Sequence, residues 1–464
     1  MLPVETFEQA VQYMTSQKTA FEDELKTFLK IPSVSTDSKF RNDVERCADY
    51  LVKLCQDMGL KQVEKCKTAG NPIVYGEWLQ DPSLPTVLFY GHYDVQPADP
   101  LDLWDTPPFE PQIRDGYMYA RGASDDKGQV FCLLMAVKSL LSQGNGLPVN
   151  VKILIEGEEE VGSPNLVSFL ATEKERLASD IVLVSDTPMF GKGVPSICYS
   201  LRGLSYLEIF AQTTEGDLHS GQHGGVVQNP IHALSHILAK LKDENGVVNI
   251  PGFYDDVQPI SPAVKEKIRE MPFDESAYMA SLGVDQLIGE ADFSSLERRW
   301  FRPTLDCNGI IGGYIGEGAK TVIPAKASAK VSMRLVANQN SEKISRLFRD
   351  FVEKITPPGV RIKVVEHHGA QPALMNIDDI PFKAAEVAIE KVFGRKPLFQ
   401  GEGGSIPIVA EFKNQLGIQS VLMGFNLPDD CIHAPNERFG MENYHQGILT
   451  VANFFQEYGR MSKS

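Results

Sequence analysis

Histidines and carboxylates recur in this chain at the ends of short apolar runs, a placement that suits metal-assisted hydrolysis. His92 and Asp94 close the run TVLFYGHYDV (86–95), two residues apart and so on one side of an extended segment. Asp125 lies in RGASDDKG (121–128), just before a helical stretch. Glu158, Glu159 and Glu160 end VNVKILIEGEEE (149–160), Asp186 ends DIVLVSD (180–186), and His433 follows QSVLMGF (419–425). Any one of them alone is explained by a solvated carboxylate, a helix cap or a hydrogen-bonded histidine. Their recurrence at four strand ends is what points to one site, because open α/β sheets build sites at the carboxyl ends of their strands. Two histidines with several carboxylates suit Zn²⁺, Mn²⁺ or Co²⁺, whereas an all-oxygen set favours Mg²⁺ or Ca²⁺. The donors exceed what one open catalytic ion takes, and they match two ions about 3.5–4 Å apart that share a bridging carboxylate. A spare glutamate is then free to act as a base on water.

The elements that must position these residues follow from periodicity. The strand-like runs are apolar and β-branched, as buried strands of a mostly parallel sheet should be. Helical patterns separate them, at 129–143 and 165–177, and helices are also expected over 7–30 and 41–59. This alternation predicts an α/β fold with a mixed, mostly parallel sheet sandwiched by helices. From Gly203 the texture changes. LSYLEIFAQ (204–212) and KASAKVSMRLV (326–336) alternate with period two, and 229–242 and 341–355 are amphipathic. An inserted α+β domain of β-α-β-β-α-β type is expected over 203–371, within a catalytic domain formed by 1–202 and 372–464. The Pro/Asp-rich stretch 97–108 reads as a loop.

Composition limits the function classes. At 464 residues the chain is too long for one ordinary core, and its 42% hydrophobic content is that of a globular protein. With 61 acidic against 45 basic residues the formal charge is -16, which argues against general binding to nucleic acid or anionic membranes. No apolar run approaches the roughly 18 residues of a membrane span. Seven scattered cysteines without a C-x-x-C pair, behind a polar, helix-patterned N-terminus, fit a reducing cytoplasm. The segment GGYIGEGAKT (312–321) has one residue too many for a phosphate-binding loop and lies in antiparallel texture, so nucleotide binding is rejected.

GHYDVQP (91–97), RGASDDKG (121–128), EGEEEVGS (156–163), SD (185–186), DLHSGQHGG (217–225), EGGSIP (402–407) and DDCIHAPNE (429–437) resemble the M20 metallopeptidases. Within that family they are similar to the carnosinase and cytosolic nonspecific dipeptidase branch, in order over essentially the whole chain. The resemblance implies a zinc-exopeptidase-like fold with a lid and dimerisation domain. It implies that His92 and Asp186 hold one metal, that Glu160 and His433 hold the other, and that Asp125 bridges them. Asp94 would orient a ligand, and Glu159 would be the general base. A register shifted by one residue would exchange the roles of the glutamates, and the following Val-Gly-Ser anchors the register adopted; Glu158 is read as solvent-facing. His219 would stabilise the oxyanion at the metal site of the partner subunit of a homodimer. Arg334 would bind the substrate carboxylate, and Thr321, Ser405, Glu402 and Asn308 would add contacts. Tyr93 stands where many relatives carry Leu, and Cys431-Ile432 where they often have Gly-Ala. Two divalent ions, Zn²⁺ or Mn²⁺ with Co²⁺ also compatible, and hydrolysis of dipeptides or short peptides with broad specificity are thus expected. The competing expectations are an N-acyl amino acid deacylase of the acetylornithine or succinyl-diaminopimelate type, and a catalytically silent dimeric binding module.

Overall fold

The computed structural model describes residues 4–142, 144 and 146–463. They form two compact units. The first gathers the chain up to Tyr199, Met375–Gln400 and the chain from Glu411 onward; the second is Ser200–Leu374 with Gly401–Ala410. The division expected from sequence had left 401–410 with the catalytic part.

In the first unit a mixed sheet runs in the order Lys61–Cys66, Ile73–Trp78, Asn150–Glu156, Thr86–His92, Ile181–Val184, Ser420–Leu422 and Ser196–Leu201. The four strands from Asn150–Glu156 to Ser420–Leu422 pair in parallel, and their neighbours on both sides pair antiparallel. Asn150–Glu156 is buried at every residue, as a strand covered on both faces must be. The helix Lys127–Ser142 is buried almost all round, in keeping with its mostly apolar sequence; residue 143, included in the expected helix, lies outside the described residues. It packs against Met441–Met461, which in turn packs against Ile380–Phe393. Arg41–Asp57 places Val44, Cys47, Ala48, Leu51, Leu54 and Cys55 on one buried stripe with helical spacing. Two expected helices are divided: 7–30 becomes Val4–Ser16 and Lys18–Leu29, and 165–177 becomes Pro164–Thr172 and Lys174–Leu177. The expected loop 97–108 contains one short turn, Leu101–Leu103.

The second unit is built on a four-stranded antiparallel sheet in the order Thr304–Gly312, Lys326–Leu335, Gly203–Gln212 and Arg361–Ala370. With helices Pro230–Leu241 and Ser341–Ile355 the chain order is β-α-β-β-α-β. Leu207, Ile209, Val331, Met333 and Leu335 alternate with more polar neighbours and meet Leu234, Ile237, Ile344, Phe348 and Val352 of the helices. The four-residue spacing of Ile344, Phe348 and Val352 makes that helix amphipathic, and the Asn340 side chain caps it by accepting from the Lys343 amide. The other face of the sheet is mixed, with Ser332 and Arg334 beside Tyr206 and Phe210.

Candidate active site

The parallel strands of the first unit end together, and each is followed by one or two of the residues singled out in the sequence. Thr86–His92 ends on His92; Asn150–Glu156 is followed by the turn Glu159–Val161; Ile181–Val184 precedes Asp186; Ser420–Leu422 leads to the loop of His433. Asp125 comes just before the buried helix Lys127–Ser142, through a cis peptide bond to Asp126. Two groups of donor atoms result. His92, Asp125 and Asp186 place ligand atoms within 4.8 Å of one another, and so do Asp125, Glu160 and His433. Asp125 belongs to both: its Oδ1 lies 3.1 Å from His92 Nε2 and its Oδ2 lies 2.8 Å from His433 Nε2. His433 Nε2 is also 3.3 Å from Glu160 Oε2.

Several features suit cations. The fully buried His92 ring has Nδ1 at 3.0 Å from the Asp94 carbonyl oxygen. A donating Nδ1–H leaves the Nε2 lone pair facing Asp125, the tautomer a metal ligand needs. Glu160 Oε2 accepts from Gln96 Nε2 at 2.7 Å, while its Oε1 is buried without a hydrogen-bond partner. Burial, followed by the charges of Asp126 and Asp125, pushes the Asp186 pKa well above the carboxylate range. Crowded acids of this kind are relieved by bound positive charge.

The histidines respond in the opposite sense. Hydrogen bonds to Asp125 and then Glu160 push His433 up to about 10. Burial works against charge on His92, but Asp125 and Asp94 outweigh it and hold its pKa well above the ordinary value. Burial likewise opposes charge on Asp125, and the two rings nevertheless hold its pKa below the usual range.

Glu159 differs from its neighbours because no described residue hydrogen-bonds its carboxylate, although its amide donates to Asp94 Oδ1 at 3.2 Å. Burial, with Asp125, Glu160 and Asp94 adding to it and His92 opposing, pushes its pKa up to about 8. Asp94 also accepts from the Glu160 amide at 3.1 Å, so one residue holds the His92 ring through its carbonyl and the turn carrying Glu159 and Glu160 through its carboxylate.

Glu158 is not solvent-facing. It is 8% exposed, accepting from the Asn71 amide at 3.0 Å and from Asn165 Nδ2 at 2.7 Å. A carboxylate flanked by two others in sequence looks solvated, and only the fold brings Asn71 and Asn165 to it. Tyr93 is fully buried and donates its hydroxyl to the Pro72 carbonyl at 2.7 Å. A Cβ on Gly157 would lie 2.4 Å from that ring, so the bulky residue at 93 requires glycine at 157.

Sequence reasoning missed Glu437. This buried carboxylate accepts the amides of Gly122, Ser124 and Asp125 at 2.9, 2.9 and 3.0 Å and pairs with Arg121 at 2.6 Å, thereby fixing the Asp125 loop. Its signal was present as the last residue of DDCIHAPNE. The same segment is held in left-handed backbone at Cys431, His433 and Asn436 (φ 57°, 60° and 61°). Asp430 anchors its base by accepting from the Leu427 amide and the Ser124 hydroxyl. Cys431 is exposed and directs its thiol to the Asp429 carbonyl.

The remaining candidates belong to the second unit. His219 pairs with Val322 across a short ribbon, and the Ser220 amide donates to the Thr321 carbonyl at 3.1 Å, so His219 and Thr321 are neighbours. His219 Nδ1 accepts from the Gly221 amide at 3.1 Å, leaving Nε2 as the protonated nitrogen of the neutral ring. Arg334 Nη1 donates to Ser405 Oγ at 2.9 Å, and Glu402 Oε1 accepts the amides of Gly403 and Gly404 at 2.6 and 3.2 Å. Asn308 stands apart, exposed in the irregularity between Cys307 and Gly309.

A family model described as peptidase family M20/M25/M40 matches residues 88–457. The Cys-Gly metallodipeptidase dug1 of Schizosaccharomyces pombe is 33% identical, covering 98% of this chain and 99% of its own. Human Beta-Ala-His dipeptidase is also 33% identical, over 99% of this chain and 94% of that protein. The solved M20 metallo-carboxypeptidase Sso-CP2 from Sulfolobus solfataricus superposes with a TM-score of 0.87 at 33% identity, covering 95% of this chain and 99% of that one. Taken with the donor groups around Asp125, these matches imply a divalent metal centre. With its strand-end donors and a match that spans most of its length, the chain belongs to peptidase family M20/M25/M40.

Proposed function

We propose that this protein hydrolyses dipeptides and short peptides with broad specificity, using two divalent ions that share Asp125. The observation that carries this reading is the position of Asp125, whose two oxygens face His92 and His433 at 3.1 and 2.8 Å. His92 and Asp186 would complete one ion's set, and Glu160 and His433 the other's. Zn²⁺ and Mn²⁺ suit these nitrogen and oxygen donors, as does Co²⁺. Cations bound there supply Lewis acidity toward the scissile carbonyl and make water more acidic. Glu159, whose carboxylate no described residue hydrogen-bonds and which stands outside both donor groups, takes the proton of the attacking water and delivers it to the leaving amine. Asp94 keeps the base and the ligands in register. The His219 Nε2–H is suited to the developing oxyanion, and Arg334 to the substrate carboxylate.

Two relatives of equal identity carry names for two different dipeptides, Cys-Gly and Beta-Ala-His, which favours a broad preference set by the length of the substrate. The second unit serves as the lid and dimerisation domain of a homodimer. Its edge strand exposes Ile310 and Ile311, and Val226 and Ile315 are 81% and 95% exposed, an apolar surface suited to a second copy. All seven cysteines are free, in keeping with a cytoplasmic enzyme, and no helix among the described residues is long and apolar enough to cross a membrane.

A panel of dipeptides, tripeptides, N-acetyl and N-succinyl amino acids, run with each of Zn²⁺, Mn²⁺ and Co²⁺ added back, tests the reading. Turnover of dipeptides above the acylated amino acids is expected. Preference for the acylated compounds would replace the proposal with a deacylase, and absence of bound metal after gentle purification would favour a silent binding module.

A further inference from the structure

Arg334 is not the only guanidinium at its place in the second unit. The antiparallel register sets Arg334 opposite Leu204 and Leu335 opposite Gly203. Arg202 precedes Leu204 by two residues and so falls on the same face of the sheet, diagonal to Arg334 at about 7–8 Å. Both side chains hold one loop. Arg202 Nε donates to the Gly403 carbonyl at 2.9 Å, its amide donates to the Gly404 carbonyl at 3.1 Å, and Arg334 Nη1 donates to Ser405 Oγ at 2.9 Å. A Cβ on Gly403 would lie 3.1 Å from Arg202 Nη2, so glycine there keeps that edge of the guanidinium clear.

Neither arginine has a carboxylate within ion-pair distance among the described residues. The nearby acids are otherwise engaged: Glu402 accepts the Gly403 and Gly404 amides, and Asp306 pairs with Lys242 at 3.4 Å. Burial, followed by the charge of Arg334 and opposed by that of Glu402, pushes Arg202 down to about 10. Two half-buried forks with unused donors form a receptor for a planar anion, since guanidinium and carboxylate match in shape and charge.

We propose that Arg202 joins Arg334 in a two-guanidinium subsite that takes the free α-carboxylate of the substrate, with the 403–405 loop as its floor. This assignment rests on the peptidase reading above. It makes a free C-terminus the main recognition element, so amidated peptides are poor substrates whatever their side chains.

The test compares a dipeptide with its C-terminal amide, using wild type, Arg202→Gln and Arg202→Lys, in two readouts. Steady-state kinetics should show KM for the free acid rising about tenfold or more in Arg202→Gln, with kcat little changed and kcat/KM for the amide unchanged. Arg202→Lys should recover part of the loss. Calorimetric binding of the same pair to each protein in the Glu159→Gln background gives the acid-over-amide preference without turnover. A preference that collapses in Arg202→Gln supports the subsite even if the wild type cleaves no dipeptide, which would count against the peptidase reading alone. Acid and amide weakening together would show Arg202 to be a loop anchor and overturn the proposal, as would an unchanged preference.

Discussion

The two units treat charge differently. In the first, His92 and Asp94 are fully buried, Asp125 and Glu160 are nearly so, and most polar atoms are committed to one another. In the second, Arg202 and Arg334 are half-buried, His219 is exposed, and each keeps donors unspent. The buried cluster resists change because a displaced group leaves an unpaired charge behind it. The open set can meet ligands of varying shape, because water fills whatever a particular ligand does not. The proposed function accordingly divides the work, with chemistry at the buried sheet end and recognition at the Arg334 face of the antiparallel sheet and its loops. Perturbations in the first unit should act on turnover as a whole, and those in the second on particular substrates.

The largest effect should come from metal removal. A chelator should abolish hydrolysis of every peptide, and added Zn²⁺ or Mn²⁺ should restore it. The pH dependence has a definite sign. His433 in the metal-free protein is pushed up to about 10 by Asp125 and Glu160, so near neutral pH it carries a proton that must leave before Nε2 can bind a cation. Metal affinity should fall as pH is lowered, by about tenfold per unit for each proton displaced, and protons should be released on binding. Competition with a chromogenic chelator across pH measures this. A flat profile would show that the histidine nitrogens are not ligands. Next in size is Glu159→Gln, which should lower kcat by about 10²–10⁴-fold for all substrates while metal content stays unchanged. Loss of metal with loss of turnover would instead make Glu159 a ligand and exchange its role with that of Glu160.

The contrast between the units also governs what could be read from sequence. Strand-end residues such as His92 and Asp186 were legible because apolar β-branched runs fix where a strand stops, and the β-α-β-β-α-β order was legible from period-two and amphipathic patterns. Glu437 and Glu158 were not, since both act through backbone amides that are distant in sequence, at Asp125 and Asn71. The pairing of Arg202 with the 403–405 loop was hidden for the same reason, being a contact across about two hundred residues that no local pattern encodes. The divisions of the 7–30 and 165–177 helices were missed because the apolar spacing continues through each interruption.

In the second unit, Arg334→Gln should raise KM for free-acid dipeptides by about 10–100-fold, the worth of a charge-assisted hydrogen bond of about 1.5–3 kcal/mol. Turnover at saturation and metal content should change little. An equal loss in kcat would place Arg334 in the chemistry and weaken the contrast between the units. Its measurement is a kcat and KM pair for several dipeptides.

The smallest effect on activity is expected behind the first unit's cluster, at Glu156. Its Oε1 accepts the Tyr90 and Ser163 hydroxyls, each at 2.7 Å, and its Oε2 is buried without a partner. Burial, reinforced by Asp94 and opposed by those hydroxyls, pushes its pKa from 4.5 up to about 8. The folded protein thus holds a proton here that the unfolded chain has already lost between about pH 4.5 and 8, so stability must fall as pH rises through that window. A glutamine presents the same oxygen to the two hydroxyls and an uncharged amide where the acid carries its proton. Glu156→Gln should therefore leave turnover near wild type, flatten the dependence of melting temperature on pH between 5 and 8, and make the metal-free protein more stable at pH 8 by about 1–3 kcal/mol. Denaturant unfolding at pH 5 and pH 8 distinguishes the outcomes. A variant less stable at both would mean that Glu156 is ionised in the folded protein and serves the cations as buried negative charge.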